Sequence, residues 1–379
     1  MNLRKTYIVL ACLFTFPGAF SSDIRIGLFY NSEIKSIVFS VIEGEYVLLG
    51  NGNQAAVITE GSVLYLEREG TGIAVSDTSH TYGIFRTLEF KGVSANNIFQ
   101  VKPVMPSGKA KESDDNLIVN TMDEWLRLIN VINLEKYIPG TVEAEGGSSA
   151  APEFYKAQAV IARTFAVKSM FRHAHEGFNI CDGVHCQAFN GKSRNNKEIY
   201  AATSLTHDEI LVSGGIEPVT AAYHACCGGQ TADASVEWNR PLFYLVSVKD
   251  PFCTKSSNTN WSKTISTTEW NNYILGKYFT GNPSDLFEMK GNTRFKFLDA
   301  ETKKLAMTAV REDFKLKSSY FTVIPGNSAG TVEFKGHGYG HGLGLCQEGA
   351  MEMARVGYTY VDILMFYYRG VKIMTMNIE

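Results

Sequence analysis

Apolar residues recur at alternate positions, in part or in full, through Ile24-Arg25-Ile26-Gly27-Leu28-Phe29-Tyr30, Ser36-Ile37-Val38-Phe39-Ser40-Val41 and Tyr46-Val47-Leu48-Leu49. A period of two puts one set of side chains on each face of a strand, so residues 22–108 are expected to form a mainly-β N-terminal domain. Gly50-Asn51-Gly52-Asn53 supplies a turn between strands. The polar run Lys109 to Asn116 is expected to be an exposed loop.

The pattern changes from about residue 117. Leu117-Ile118-Val119 and Ile129 to Leu134 are strand-like, and Ile138-Pro139-Gly140 is expected to be a turn. A helix should open at Pro152, where the missing N–H costs nothing. Phe154, Ala157, Ile161 and Phe165 share one face of it, and it should run to about Phe171. A second helix is predicted from Gln347 to Val356, stopped by Gly357. Thr359-Tyr360-Val361-Asp362 has capping-box character and should open a last helix, stopped by Gly370. Strands followed by scattered helices, without a βαβ rhythm, predict an α+β fold of mixed β-sheets with a few packed helices. The larger domain is expected over 117–379.

Composition narrows the class. The 379 residues are 45% hydrophobic and 20% charged, with a formal net charge of −3. This is a globular balance without a basic run, which argues against a nucleic-acid partner. Arg4 and Lys5, the apolar stretch Tyr7 to Phe16 and the small residues Ala19 and Ser21 read as a signal peptide over 1–21. No other segment approaches membrane-spanning length. The mature chain is therefore expected outside the cytoplasm, in the periplasm, the cell envelope or the medium. Six of the seven cysteines would survive cleavage: Cys181, Cys186, Cys226, Cys227, Cys253 and Cys346.

Four segments can carry chemistry. Glu145 stands in Val142-Glu143-Ala144-Glu145-Gly146-Gly147, expected as a loop whose glycines let a ligand approach the backbone; composition alone does not choose it over Glu143. His173, His175, Cys181, His185 and Cys186 lie within fourteen residues, which suits either a four-ligand zinc site or a Cys181–Cys186 disulfide. Cys226 or Cys227 can pair with Cys253, or act as a nucleophile beside His224. Gly336, Gly338, Gly340, Gly342 and Gly344 alternate with His337, Tyr339, His341 and Leu343, which on a strand leaves one bare face for close packing or for a ligand.

Taken in order, these segments resemble the stage II sporulation protein D family, which includes the amidase enhancers. The resemblance runs from Asn130–Gly140 through Lys156-Ala157-Gln158-Ala159-Val160-Ile161-Ala162-Arg163-Thr164-Phe165-Ala166, Cys186-Gln187-Ala188-Phe189, Tyr223-His224 and Gly228-Gly229-Gln230-Thr231. It continues through Ser247–Pro251 and Gly338–Ala350 to Tyr367-Tyr368-Arg369-Gly370. It implies a peptidoglycan lytic transglycosylase that cuts between N-acetylmuramic acid and N-acetylglucosamine and leaves a 1,6-anhydro end. Strands stripped of stem peptides are the implied substrate.

The family's glutamate falls eleven residues before Lys156, at Glu145. One carboxyl suffices for such chemistry, because the substrate's own 6-hydroxyl replaces water, whereas hydrolysis ordinarily needs two carboxylates. A raised pKa, supplied by partial burial, would suit that acid. The resemblance further implies sugar contacts at Gln187, Tyr223, His224 and His341. It also implies a structural zinc on His175, Cys181, His185 and Cys186, with no cofactor for catalysis. Gly146-Gly147 replaces the family's Met-Pro, and Ala151-Pro152 its Trp-Pro, so a more flexible loop and a missing stacking surface are expected. A second reading is a non-catalytic wall-binding protein that stimulates a cell-wall amidase. A third is a cysteine or zinc hydrolase of stem peptides.

Overall fold

The computed structural model describes residues 23–194, 196–277, 294, 297–300 and 303–376. The signal-peptide segment 1–21 lies outside the described residues. The architecture is α+β. The described residues divide into two compact units: 23–194, without 150–157, with 196–211 and 373–376; and 150–157 with the described residues of 212–372.

In the first unit, two sheets carry the alternating patterns read from the sequence. One has seven strands in the order Ile180–Cys181, Asp23–Leu28, Trp125–Asn133, Asn116–Met122, Thr87–Gly92, Glu45–Gly50 and Asn53–Thr59. The other has six, in the order Lys111–Asp114, Ile98–Met105, Ser36–Glu43, Val63–Glu69, Gly72–Ser76 and Thr81–Phe85. Phe39 of one sheet stacks on Phe90 of the other at 3.9 Å between ring centroids, and on Phe99 of its own sheet at 5.7 Å. Burying such rings, at roughly 25 cal/mol per Å² of apolar surface, is what joins the sheets.

Two expectations change here. Lys111–Asp114 is a strand rather than an exposed loop, with Ser113 and Asp114 buried and Ser113 Oγ bonded to Asn130. Asn116–Met122 pairs with Thr87–Gly92, so strands on both sides of residues 109–116 build one sheet. The expected boundary between 108 and 117 falls inside it.

The Ile138-Pro139-Gly140 turn is also absent: a helix spans Leu134–Gly146 with Pro139 inside it. Asn133 caps its start by accepting the Glu135 N–H at 2.9 Å. Leu134, Ile138 and Val142 share its buried face. An interior proline costs about 3 kcal/mol. Burial of three such side chains at about 1.5–3 kcal/mol each outweighs that. The next helix, Pro152–Lys168, contains the fully buried Arg163, whose guanidinium grips both Glu135 oxygens at 2.6 and 2.7 Å. A third bond runs to the Glu209 carbonyl at 3.0 Å.

In the second unit, the strands Asn260–Ser266, Thr331–His337 and Phe321–Pro325 form an antiparallel sheet. Its apolar face packs with Trp270, Ile274, Val310 and Phe314. The helices Gln347–Arg355 and Tyr360–Tyr367 match the sequence reading, and Thr359 and Asp362 form the capping box. The glycine run does not form an extended strand. Gly338, Gly340, Gly342 and Gly344 all have positive φ. They let the chain press against residues 222–228: a Cβ at Gly344 would lie 2.0 Å from the Ala222 oxygen, and one at Gly338 2.5 Å from the Cys226 oxygen.

Candidate functional site

Glu145 lies in the last turn of the helix Leu134–Gly146, not in a loop. Gly147, at φ 70°, stops the helix and returns its N–H to the Glu143 carbonyl at 3.0 Å. The Gly-Gly pair is thus a helix terminus rather than a loosened loop. Glu145 is half-buried, and its Oε1 accepts the Ala188 N–H at 2.6 Å. Glu143 points to a different donor, the Arg194 N–H, at 2.8 Å.

The segment that presents Ala188 is tied down on both sides. Lys111 Nζ donates to Asp182 Oδ2 and to the Phe189 carbonyl, each at 2.7 Å. Phe189 packs on Tyr137 with ring centroids 4.9 Å apart. Gln187, expected at the sugar, is instead fully buried. Its amide donates to Tyr137 Oη and to the Ala162 carbonyl, both at 3.2 Å. It braces the segment from behind and has no surface to offer a ligand. Burial raises the Tyr137 hydroxyl well above its ordinary pKa.

Just before this segment, the side chains of His173, Cys181, His185 and Cys186 each place a ligand atom within 4.8 Å of the other three. This corrects one expected ligand. His175 is 79% exposed and turns toward Glu176, while His173 takes its place, with Nε2 3.4 Å from Cys186 Sγ. The reason is visible on the other ring nitrogen: His173 Nδ1 donates to Glu176 Oε1 at 2.7 Å, and Glu176 is anchored by Arg127 at 2.9 Å. A carboxylate behind the imidazole fixes its tautomer and aims Nε2 at the cluster, the usual support of a metal-bound histidine.

His185 Nδ1 lies 3.8 Å from Cys181 Sγ and 3.7 Å from Cys186 Sγ. Neither cysteine is in a disulfide. The two thiols are coupled: the bond from Cys186 lowers the Cys181 sulfur and raises Cys186 in turn. Two sulfurs and two imidazole nitrogens are a donor set that fits tetrahedral zinc. With four protein ligands the site would be closed, and the metal would fasten the loop rather than bind substrate.

The other expected sugar contacts, Tyr223, His224 and His341, lie together in the second unit. His224 is buried and donates from Nδ1 to the Leu343 carbonyl at 3.0 Å. Its ring centroid is 5.7 Å from that of His341, which in turn is 5.9 Å from Trp238. Sequence reasoning passed over Trp238; it is 41% exposed and is the aromatic surface of this group. His341 Nδ1 accepts the Leu343 N–H at 3.0 Å, which leaves its proton on Nε2.

Burial, then the cations Arg311 and Arg294, hold His341 down at about 4. A histidine depressed in the folded state takes up protons preferentially when unfolded. Stability is therefore whole above about pH 6.5 and falls between there and about pH 4. From the two pKa values the loss approaches about 3 kcal/mol. His341→Asn keeps an acceptor for Leu343 and should flatten this part of the unfolding-midpoint-versus-pH curve. An unchanged acid limb in the variant would contradict it.

Comparison with known proteins places these features in context. Residues 122–212, which include Glu145 and the His–Cys loop, match the family model described as Stage II sporulation protein. Stage II sporulation protein D of Bacillus subtilis is 30% identical over 260 residues, covering 64% of this chain and 74% of that protein. An uncharacterized protein of Brachyspira hyodysenteriae is 30% identical over 264 residues, covering 67% and 70%. The protein named Amidase enhancer in Bacillus subtilis is 24% identical over 296 residues, covering 62% of this chain and 39% of its own length. The chain belongs to the stage II sporulation protein D family.

Proposed function

We propose that this protein is exported and cleaves the glycan strands of peptidoglycan as a lytic transglycosylase, with Glu145 as its acid and base. The observation that carries the reading is the Glu145 carboxyl itself, fixed at a helix end by the Ala188 N–H at 2.6 Å. The resemblance, counted back eleven residues from Lys156, also implies this position for the family's glutamate. Glu145 gives its proton to the oxygen that leaves C1 of N-acetylmuramic acid as the bond to N-acetylglucosamine breaks. The 6-hydroxyl of the same sugar attacks C1 and returns its proton to Glu145, closing the 1,6-anhydro ring. Protons balance without water and without a second carboxylate.

His173, Cys181, His185 and Cys186 would hold zinc. That metal supplies cross-linking of the loop, and the chain's own contribution is to keep Ala188 against Glu145. Tyr223, His341 and Trp238 are the residues we assign to sugar binding, since an aromatic face and hydrogen-bonding rings suit a glycan.

The Amidase enhancer among the relatives supports a second reading, in which the chain binds glycan and stimulates a wall amidase without cutting. Mass spectrometry of the soluble products from purified peptidoglycan, intact and amidase-stripped, separates the two. Anhydro-muramyl ends, richer on stripped strands, are expected. Their absence from both substrates, with glycan binding intact, would move the assignment to the second reading.

A further inference from the structure

We propose that the second unit carries its own zinc centre, held by Cys227, Cys253, Cys346 and Asp250. The side chains of these four residues, all buried, each place a ligand atom within 4.8 Å of the other three. Cys227 Sγ lies 3.2 Å from Cys253 Sγ and 3.2 Å from Asp250 Oδ2. Tetrahedral zinc with Zn–S bonds of about 2.3 Å separates its sulfurs by roughly 3.8 Å, so a small expansion of this cluster admits the ion. The residues come from three separate places in the chain: the turn after Tyr223–His224, the short helix Cys253–Lys255 with the residues before it, and the start of the helix Gln347–Arg355. None of the six described cysteines is in a disulfide.

Two features of the surroundings point to a cation. The first is Asp250, which is 1% exposed. Its carboxylate accepts the Tyr367 hydroxyl at 2.8 Å and the Phe252 N–H at 2.9 Å. No lysine, arginine or histidine among the described residues forms an ion pair with it. A buried carboxylate ordinarily has such a partner or a metal. The second is the direction of the backbone donors. The Cys227 N–H points at Cys346 Sγ and the Gly229 N–H at Cys253 Sγ, both at 3.2 Å; the Gly349 N–H reaches Cys346 Sγ at 3.4 Å. Amides aimed at sulfur favour thiolates, the form that ligates a metal, and Tyr367 would orient the carboxylate as an outer-shell partner does.

Three sulfurs and one carboxylate oxygen select zinc over calcium or magnesium, which take oxygen ligands. Four protein ligands make the centre closed and structural. It would cross-link the close crossing of residues 338–344 over 222–228, which the positive-φ glycines permit. Cys226 adds a further thiol in contact with Cys253 and Cys346. The centre is independent of the glycan reading and of the His–Cys loop.

The test is metal content by native mass spectrometry of the full chain, purified under reductant and supplied with zinc, for wild type, Cys346→Ser, Asp250→Asn and Cys186→Ser. Wild type should hold two zinc ions. Cys346→Ser should lose one, Asp250→Asn should weaken one at least tenfold in chelator competition, and Cys186→Ser should lose the other. If only this centre binds metal, wild type holds one ion, lost in Cys346→Ser and kept in Cys186→Ser; that supports this proposal and sinks zinc at the loop. Zinc content indifferent to both Cys346 and Asp250, or a Cys227–Cys253 disulfide in a non-reducing peptide map of wild type purified without reductant, overturns it. Should Cys346→Ser fail to fold, the isosteric Asp250→Asn decides alone: zinc content and chelator competition unchanged from wild type in that variant refute the centre.

Discussion

Glu145→Gln should abolish measurable release of anhydro-muramyl products while leaving the protein folded. A positioned general acid or base contributes about 10²–10⁴-fold, and here one carboxyl serves both proton transfers. The loss is therefore expected at or beyond the upper end of that range. Glutamine keeps an oxygen where Oε1 accepts the Ala188 N–H, so the bond that seats the side chain survives. Thermal midpoint and glycan binding should stay near wild type. Glu143→Gln is the matched control, since Glu143 is bonded to Arg194 instead, and it should retain most of the rate. A Glu145→Gln protein within tenfold of wild type would rule Glu145 out as the acid.

Stripping metal from the loop should produce the second large effect. Structural zinc is worth about 10–16 kcal/mol of apparent binding in small peptides, so its loss leaves a segment of this size without its main cross-link. Treatment with a strong chelator should open residues 173–189 to protease and lower the cleavage rate by displacing Ala188 from Glu145. Both effects should reverse on adding zinc. Cys181→Ser should behave like the chelated protein, and His175→Ala like wild type, because His175 points to solvent. The sign with pH follows from the thiolate. Ligation needs both cysteine sulfurs deprotonated and both imidazoles neutral, so protons compete with the metal: zinc should be kept at neutral pH and released as the pH falls. Protection that persists in chelator, with a Cys181–Cys186 disulfide in the peptide map, would replace the metal by a covalent link.

Much of the architecture was legible because it rests on short-range pattern. The alternation in Ser36–Glu43 and Glu45–Gly50, the helix begun at Pro152 and the Thr359–Asp362 cap are all local statements that packing did not override. The helix Leu134–Gly146 was misread because a Pro-Gly pair signals a turn, and the burial that outweighs it is tertiary. The strand Lys111–Asp114 was hidden for the same reason: a polar run becomes a strand only when Asn130 and Lys192 meet its Ser113 and Asp114.

At the site, Glu145 was singled out only through the family resemblance, by counting back from Lys156, while its Ala188 partner, 43 residues on, was not foreseen. His173 carried a usable signal: Glu176 follows at the spacing that lets a carboxylate reach its ring, at 2.7 Å, whereas His175 is exposed and stands 3.8 Å from the same carboxylate. Gln187 was placed at the sugar by the resemblance, in which it belongs to the Cys186-Gln187-Ala188-Phe189 motif. Only its burial shows that it is a brace.

The strand Asp23–Leu28 has a consequence for how the chain folds in time. It lies between Trp125–Asn133 on one side and Ile180–Cys181 on the other, and Arg25 donates its N–H to Asn179, 154 residues away. Closing loops that long costs entropy before any contact repays it, and such topologies fold slowly. The loop that seats Ala188 therefore acquires its floor late, when the beginning and the middle of the chain have met. A nascent chain would pass through a stage in which Asp23–Leu28, not yet joined by Ile180–Cys181, is an open apolar edge, the state in which association with other chains competes with folding.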